Sequence, residues 1–297
     1  MNSFTLPSFA KINLNLRVLG KRPDGFHELF TVFQTVSLHD SISFSGDERL
    51  TLTSDRAFIP TGEKNLIIRA AKLLQRRSGL KLGSKMHLVK RIPSPGGLGG
   101  GSSNAAAALI GLSRLWGLKL SAAELHGMAA ELGSDVPFFL YGGTAIGTGR
   151  GTEIEPADDI QNGKLLIVTP NIRISTASAF AELGAESLTT VDANRILIVC
   201  RLEAERLDLS RSVLRNDIEA AVFAAHPEIE RVKRTLFELG AVNALMSGSG
   251  ASVFAVFEKE ETRQTALKAL DKEVNWRKFV VAAVSRAEFR GKMYNKL

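Results

Sequence analysis

Hydrophobic and polar residues alternate strictly over residues 9–18, near the start of the chain. Isoleucine, leucine and valine occupy every second position from residue 12 to residue 18, and the positions before and between them hold Lys11, Asn13, Asn15 and Arg17. A period of two predicts a β-strand with one buried face. We expect Asn15 and Arg17 to lie on a solvated face, whereas Lys11 and Asn13 could share that face or point into a cleft.

Further elements are predicted from periodicity and from the Gly and Pro residues that interrupt it. Predicted strands cover residues 29–38, 41–44, 50–53, 86–92, 145–154 (a hairpin), 164–168, 244–257 (strand, turn, strand) and 278–285. Predicted helices cover residues 65–77, 105–116, 121–133, 175–183, 212–225, 227–239 and 259–272. A chain of 297 residues can form one large or two ordinary domains. The pattern resets near residues 161–163, so the predicted domains are 1–158 and 159–297.

The most distinctive stretch is residues 93–104, which read PSPGGLGGGSSN and contain five glycines. A run of four alanines and a leucine follows, so a helix is predicted to begin here, with Ser102 or Ser103 as its N-cap. A glycine-rich loop that enters a helix N-terminus is an arrangement that binds phosphate. A long surface turn is the alternative. The spacing of the glycines fits neither a Walker-type loop nor a dinucleotide-binding fingerprint.

Composition narrows the range of partners. The formal net charge of +7 suits anionic ligands, but no dense Lys/Arg block with interleaved aromatic residues favours nucleic acid. The chain begins without the pattern of a signal peptide and contains no apolar run of membrane-spanning length. We therefore expect a cytoplasmic enzyme, monomeric or homodimeric, that binds small molecules and neither nucleic acid nor membrane. The one cysteine, Cys200, lies in an apolar stretch and is predicted to be a buried, inert thiol.

Several catalytic chemistries can be weighed against the residues present. Five histidines without metal-ligand spacing argue against a zinc site, and the absence of a G-x-S-x-G motif argues against a hydrolase serine. A carboxylate pair for glycoside hydrolysis stays open, but it would leave the phosphate loop unexplained. Phosphoryl transfer needs phosphate binding, a metal ion, a positioned nucleophile and a proton acceptor.

Asp135 is a candidate for the proton acceptor. It lies in the segment GSDVPFF, just before a proline at a predicted helix start, where it could equally be an N-cap. Lys11 could hold Asp135 ionised or neutralise charge on the transferred phosphoryl group, and Ser102 or Ser103 could reach the metal ion. Phosphoryl transfer is therefore the chemistry that accounts for most of these features.

Three segments in order resemble the motifs of the GHMP kinase superfamily, which includes galactokinase, homoserine kinase and mevalonate kinase: residues 7–14 (PSFAKINL), 93–104 and 246–252 (MSGSGAS). The resemblance implies an N-terminal ribosomal-S5-like α/β domain, a C-terminal ferredoxin-like domain, and ATP bound between them with Mg²⁺. Asn65 would lie beside the adenine, and it could also cap the helix that follows it. The loop residues implied in ATP binding are Pro93, Ser94, Pro95, Gly96, Gly97, Leu98, Gly99, Gly100, Gly101, Ser102 and Ser103.

Two further segments are similar to one branch of this superfamily: residues 22–29 (RPDGFHEL) and 133–139 (GSDVPFF). Members of that branch phosphorylate the 2-hydroxyl of a cytidine-diphosphate-linked methylerythritol, in the non-mevalonate route to isoprenoids. The resemblance implies that Lys11 and Asp135 are the catalytic pair.

The same resemblance implies where the substrate binds. Asn13 and His27 match substrate contacts, and Phe26 stands where the branch usually has Tyr. Phenylalanine keeps an aromatic face for the cytosine but lacks the hydroxyl. Alternatives are a kinase of the homoserine or mevalonate type, or a catalytically inactive GHMP-like regulatory protein. Phe26 and His27 argue against the first, because those substrates have no base to stack, and Lys11 and Asp135 argue against the second.

Overall fold

A computed structural model describes residues 3–160, 163–181, 183 and 190–294, with the backbone alone at 190–194. Gln161 and Asn162, where the hydrophobic pattern resets, lie outside the described residues. So does Glu182, within the helix predicted at 175–183.

Within the described residues, seven strands form a first sheet in the order β3-β4-β2-β1-β8, with β5 paired to β2 and β6 paired to β5. These strands are β1 (Phe4–Lys21), β2 (His27–Ser45), β3 (Leu50–Ser54), β4 (Ser84–Val89), β5 (Thr144–Thr148), β6 (Glu153–Pro156) and β8 (Arg215–Asn216). The long β1 and β2 are antiparallel neighbours over almost their full length. The predicted strands 29–38 and 41–44 are therefore parts of one strand.

Helices pack against this sheet and form the first hydrophobic core with it. They are α1 (Leu66–Ser78), α2 (Gly100–Leu115), α3 (Ala122–Leu132) and α4 (Phe138–Tyr141). Their ends follow the expected chemistry. Gly79 ends α1 in the left-handed conformation (φ 69°). Ser121 and Glu124 form a capping box at the start of α3.

A second, four-stranded sheet has the order β11-β7-β10-β9 and is antiparallel throughout. Its strands are β7 (Lys164–Pro170), β9 (Asn243–Met246), β10 (Val253–Phe257) and β11 (Trp276–Val281). The other helices of the described chain are α5 (Thr176–Ala181), α6 (Thr190–Glu205), α7 (Glu219–Ala225), α8 (Pro227–Glu238), α9 (Glu260–Ala269) and a short 3₁₀ turn (Leu270–Lys272). Helices α7, α8 and α9 contribute to a second core with one face of this sheet.

After β7 of the second sheet, the chain returns to the first sheet twice, in strand β8 and in the last helix. Strand β8 pairs in parallel with β1. A last helix, α10 (Arg286–Tyr294), places Phe289 and Met293 in the first core. The predicted mixed α/β fold is confirmed. The domain division at 158/159 stays a prediction.

Two predictions that involve strands β1 and β8 were wrong. Residues 212–218 were expected to be helical, but Arg215 and Asn216 form a strand, and the helix begins at Glu219. Asn216 donates hydrogen bonds to the carbonyl of Met246 in β9 and to that of Gly248 in the turn after β9, which holds this segment extended. Asn15 was expected on a solvated face, but it is buried, because β8 pairs beside it. Cys200 is buried as predicted.

Candidate active site

A cavity of about 740 Å³ lies where elements of the two halves meet. Strand β1, the glycine-rich loop, the turn before α4, helix α5 and the turn between β9 and β10 all contribute to its wall. The sequence-predicted residues that line it are Lys11, Asn13, Phe26, His27, Asp135 and the loop from Pro93 to Ser102. Thus residues from four separate segments of the sequence meet in one space.

Lys11 and Asp135 form an ion pair in the cavity wall, with 3.3 Å between Lys11 Nζ and Asp135 Oδ2. The Lys11 side chain is buried (3% exposed), whereas that of Asp135 is 35% exposed. The Lys11 ammonium also donates to Asn13 Oδ1 (2.5 Å) and to the carbonyl of Gly97 (3.1 Å). Lys11 therefore joins the carboxylate, the strand and the glycine-rich loop, while Asp135 keeps a side open to the cavity.

Asp135 is not a helix cap. Helix α4 begins at Phe138 with Pro137 in the cap position. Asp135 instead lies on a turn that is closed by a hydrogen bond from Val136 N–H to the Gly133 carbonyl. Of the two readings that its sequence position left open, the structure excludes the N-cap and places the carboxylate at the pocket.

Helix α2 begins earlier than predicted, at Gly100, and its N-cap residue is Gly99 with φ 68° and no side-chain cap. The prediction of Ser102 or Ser103 as N-cap is therefore wrong. The Ser103 hydroxyl is buried and accepts a hydrogen bond from the Ser8 hydroxyl (2.8 Å). Ser102 lines the cavity and Ser103 does not. The first N–H groups of a helix have no partner within it, so this helix start is suited to an anion.

The glycine-rich loop packs closely against the turn between β9 and β10. The Ser247 hydroxyl donates to the Gly97 carbonyl (3.0 Å), and Ser252 N–H donates to the Gly96 carbonyl (3.2 Å). Gly97 has φ +70°, and a Cβ there would lie 2.0 Å from the Ser247 carbonyl oxygen. Only glycine fits such an approach. The turn at 246–252 is thus a second wall against the loop.

The far end of the cavity is aromatic. The His27 ring stacks on Phe180 at a centroid distance of 5.0 Å, and the Arg150 guanidinium lies 4.5 Å from the centre of the Phe26 ring. Phe26 is 48% exposed. Burial, with the nearby charge of Lys21, lowers the pKa of His27 below its usual value. The ring is therefore neutral at pH 7 and can both donate and accept a hydrogen bond.

Phe180 and Arg150 were missed from the sequence. Phe180 belongs to a short helix without a motif of its own, and Arg150 to the turn between β5 and β6. A signal for either would have required knowing that these segments face Phe26 and His27 across the cavity.

Asn65 is the N-cap of α1: its side chain accepts from Ile67 N–H (2.9 Å) and donates to the Pro60 carbonyl (2.6 Å). The next residue, Leu66, lines the cavity, but Asn65 does not. The capping role is confirmed, and contact of Asn65 with adenine stays a prediction.

Two absences hold for the part of the chain that the structure describes. Across those residues, no three His, Cys, Asp or Glu side chains come together as a metal centre. No helix among them is both long and apolar enough to span a membrane.

Comparison with known proteins identifies the class. The description "GHMP kinases N terminal domain" matches residues 65–143, and "GHMP kinases C terminal" matches residues 201–275. The chain belongs to the GHMP kinases. The family and fold implied by the sequence motifs are confirmed.

Curated relatives named 4-diphosphocytidyl-2-C-methyl-D-erythritol kinase match nearly the whole chain. The one from Solibacter usitatus (strain Ellin6076) is 41% identical, with 96% of this chain and 90% of the relative covered. The one from Syntrophotalea carbinolica is 39% identical, with 96% and 100% covered.

Solved structures agree with these relatives. A crystal structure of 4-(cytidine 5'-diphospho)-2C-methyl-D-erythritol kinase is 30% identical with a TM-score of 0.74, covering 94% of this chain and 99% of that one. A homoserine kinase from Cytophaga hutchinsonii is 20% identical with a TM-score of 0.70, covering 96% and 95%. At that identity, the second likeness concerns the fold alone.

Proposed function

We propose that this protein transfers the γ-phosphoryl group of ATP to the 2-hydroxyl of 4-(cytidine 5'-diphospho)-2-C-methyl-D-erythritol. The observation that carries the proposal is one cavity with two chemically different ends. A glycine-rich loop and a Lys–Asp pair lie at one end, and aromatic rings with a neutral histidine lie at the other. Such a cavity suits a substrate with a nucleobase at one end and an alcohol at the other.

The loop end would bind the phosphates of ATP. Backbone N–H groups at the start of α2, together with the helix dipole, favour an anion there. The N–H of Lys11 donates to the Leu98 carbonyl (3.0 Å), which fixes the loop against β1. Positioning of this kind is the main contribution of a protein to phosphoryl transfer, because the protein takes little part in the covalent chemistry.

Lys11 and Asp135 would act on the reacting groups. Asp135, with its open side, would accept the proton that leaves the acceptor hydroxyl as the new P–O bond forms. Lys11 would stay paired with Asp135 and offset the negative charge on the transferred phosphoryl group. Asn13, held by Lys11 Nζ and by the Thr31 hydroxyl (2.8 Å), would contact the sugar-alcohol.

The aromatic end of the cavity would bind the cytosine. Phe26 and Phe180 offer ring faces on which a base can stack. Neutral His27 can satisfy both a donor and an acceptor on the base edge. Lys21 and Arg150 bring positive charge to this part of the cavity, which suits a diphosphate.

Mg²⁺ would accompany the nucleotide and stabilise charge on its phosphates. The Ser102 hydroxyl lines the cavity and could bind the ion, while phosphate oxygens and water would supply its other ligands, as Mg²⁺ prefers. Ser102 is the candidate ligand, since its neighbour Ser103 is already hydrogen-bonded to Ser8. We also infer a cytoplasmic protein, monomeric or homodimeric, that takes small molecules rather than nucleic acid or membrane as partners.

The test is ATP consumption by the purified protein with 4-(cytidine 5'-diphospho)-2-C-methyl-D-erythritol, with homoserine and mevalonate in parallel. Turnover with the cytidine substrate alone is the expected result. Turnover with another alcohol would support kinase activity but would refute the proposal that Phe26 and His27 bind a nucleobase. No turnover with any acceptor, from protein that binds ATP, would favour a binding protein.

A further inference from the structure

Asp40 is a fully buried carboxylate on β2 that takes no part in the chemistry above. It is 0% exposed and accepts four hydrogen bonds. Oδ1 accepts from the N–H groups of Arg91 (2.7 Å) and Ile92 (2.8 Å). Oδ2 accepts from Lys90 Nζ (2.5 Å) and Asn104 Nδ2 (2.9 Å). All four neighbours are donors, so the position requires a group that only accepts, as an ionised carboxylate does.

These donors come from the two ends of the glycine-rich loop. Arg91 and Ile92 are the last residues before Pro93, where the loop begins. Asn104 is the last residue of the stretch 93–104 and lies in the first two turns of α2. A single carboxylate therefore fixes where the chain enters the loop and where it leaves.

The contacts around Asp40 extend to the helix start itself. Asn104 Nδ2 also donates to the Ser8 hydroxyl (2.8 Å), which in turn donates to Ser103. A Cβ on Gly100 would lie 2.9 Å from Lys90 Nζ, so the ion pair lies directly beneath the first residue of α2. A shift of Asp40 or Lys90 would consequently move the N–H groups that face the cavity.

Lys90 balances the charge of Asp40 in this buried place. Burial lowers the pKa of Lys90, and attraction to Asp40 opposes that effect. Buried ion pairs contribute little net stability compared with apolar residues of the same volume. A gain in stability therefore does not explain why Asp40 and Lys90 are buried together. Their contacts with both ends of the glycine-rich loop do explain it.

We propose that Asp40 is a positioning residue for nucleotide binding: it clamps both ends of the glycine-rich loop, so that the loop amides are in place before ATP arrives. The proposal rests on the proposed function only in assigning ATP phosphates to this loop. Loss of the clamp weakens ATP binding and leaves binding at the aromatic end unchanged.

The test compares four variants with the wild type. Asp40→Ala/Lys90→Met removes the clamp without leaving an unpaired buried charge. Asp40→Asn/Lys90→Met keeps one acceptor oxygen for the backbone N–H groups. Asn104→Ala removes the two hydrogen bonds that this side chain donates at the exit of the loop, to Asp40 and to the Ser8 hydroxyl. Arg231→Met is the control, because it breaks ion pairs with Glu228 and Glu273 in the second sheet's domain, outside the cavity.

Two quantities are measured with each variant: the Kd of a non-hydrolysable ATP analogue by calorimetry, and KM for the cytidine substrate. We expect Asp40→Ala/Lys90→Met to weaken the analogue about tenfold or more while changing that KM by less than about twofold. Asp40→Asn/Lys90→Met recovers part of the affinity. Asn104→Ala loses about threefold. The control loses thermal stability and keeps wild-type affinity.

Wild-type affinity in Asp40→Ala/Lys90→Met would overturn the proposal, as would an equal loss in analogue affinity and substrate KM, which indicates general loosening. If that variant does not fold, Asn104→Ala decides, and an unchanged Kd overturns the clamp. The analogue titration needs no acceptor, so it remains valid if the cytidine substrate proves wrong. Absence of analogue binding by the wild type would overturn both proposals.

Discussion

Two lysine–aspartate pairs lie on either side of the glycine-rich loop, and they differ in how far water reaches them. Lys11 and Asp135 are 3.3 Å apart, with Asp135 partly open to the cavity. Lys90 and Asp40 are 2.5 Å apart, and both side chains are buried. The same two residue types thus occupy two environments within one site.

The difference determines what each pair can do. The Asp40 oxygens are saturated by four donors, so they have no capacity left to accept a proton from a substrate. Asp135 shares one ion pair among the described residues and keeps an exposed side. An open pair can take part in chemistry, whereas a closed pair can only hold geometry.

The largest expected effect comes from the open pair. Asp135→Asn keeps the size of the side chain but removes the base, so kcat should fall about 10²–10⁴-fold. Affinity for an ATP analogue should stay close to that of the wild type. Steady-state kinetics check this, with Asp271→Asn as a control because Asp271 is an exposed surface carboxylate. A kcat for Asp135→Asn within a few-fold of the wild type would refute the base assignment.

The second-largest effect is expected in the glycine-rich loop, which lies between the two pairs. Gly97→Ala places a Cβ against the Ser247 carbonyl at a backbone angle unsuited to alanine. We expect kcat/KM for ATP to fall about 100-fold as the loop is displaced. Gly127→Ala is the matched control, because a Cβ within helix α3 meets no atom within 4 Å. Normal kinetics in Gly97→Ala would show that the close packing is not needed.

A smaller effect is expected at the aromatic end. Phe26→Ala or Phe180→Ala removes a stacking face, so KM for the cytidine substrate should rise about tenfold with kcat little changed. Phe26→Tyr should bind the substrate at least as well as the wild type. Phe58→Ala, an exposed phenylalanine outside the cavity, is the control. If Phe26→Ala has an unchanged KM, the base does not stack there.

The smallest effect concerns pH. Burial and the charge of Lys21 lower the pKa of His27 from the usual 6.5. The unfolded chain therefore binds this proton at a higher pH than the folded protein does. The contribution of His27 to the free energy of unfolding is full above pH 6.5 and is lost as the pH falls through the lower, folded pKa.

Substrate binding should also weaken as the pH falls, because a protonated His27 can no longer accept a hydrogen bond. We expect KM for the cytidine substrate to rise about threefold as the pH falls through the His27 pKa. The measurement is KM between pH 5 and pH 8, compared with His27→Gln, which should give a flat profile. An identical pH dependence in His27→Gln would assign the titration to another group.

Local patterns made Lys11 and Asp135 candidate residues, and the resemblance to the GHMP kinases implied that they form a pair. Lys11 stands on a clearly alternating strand, and Asp135 lies in a short turn sequence, so both carried signals in the sequence. Asp40 and Lys90 sit at unremarkable positions of β2 and the segment after β4. Their meeting depends on strand pairing between distant segments, which periodicity does not reveal.

The same limit explains the other misses. Phe180 reaches the cavity only through the placement of α5, and Asn216 forms a strand only because β1 offers an edge to it. Propensity favoured a helix at residues 212–225, and tertiary pairing overrode it at the first part of that segment. The glycine-rich loop was predictable because its composition alone demands an unusual backbone.

The most direct measurement is the affinity of a non-hydrolysable ATP analogue for Asp135→Asn and for Asp40→Ala/Lys90→Met, titrated under the same conditions. The account predicts wild-type affinity in the first variant and about tenfold weaker binding in the second. Equal affinities in the two variants, or a loss confined to Asp135→Asn, would contradict the division between a catalytic pair and a positioning pair.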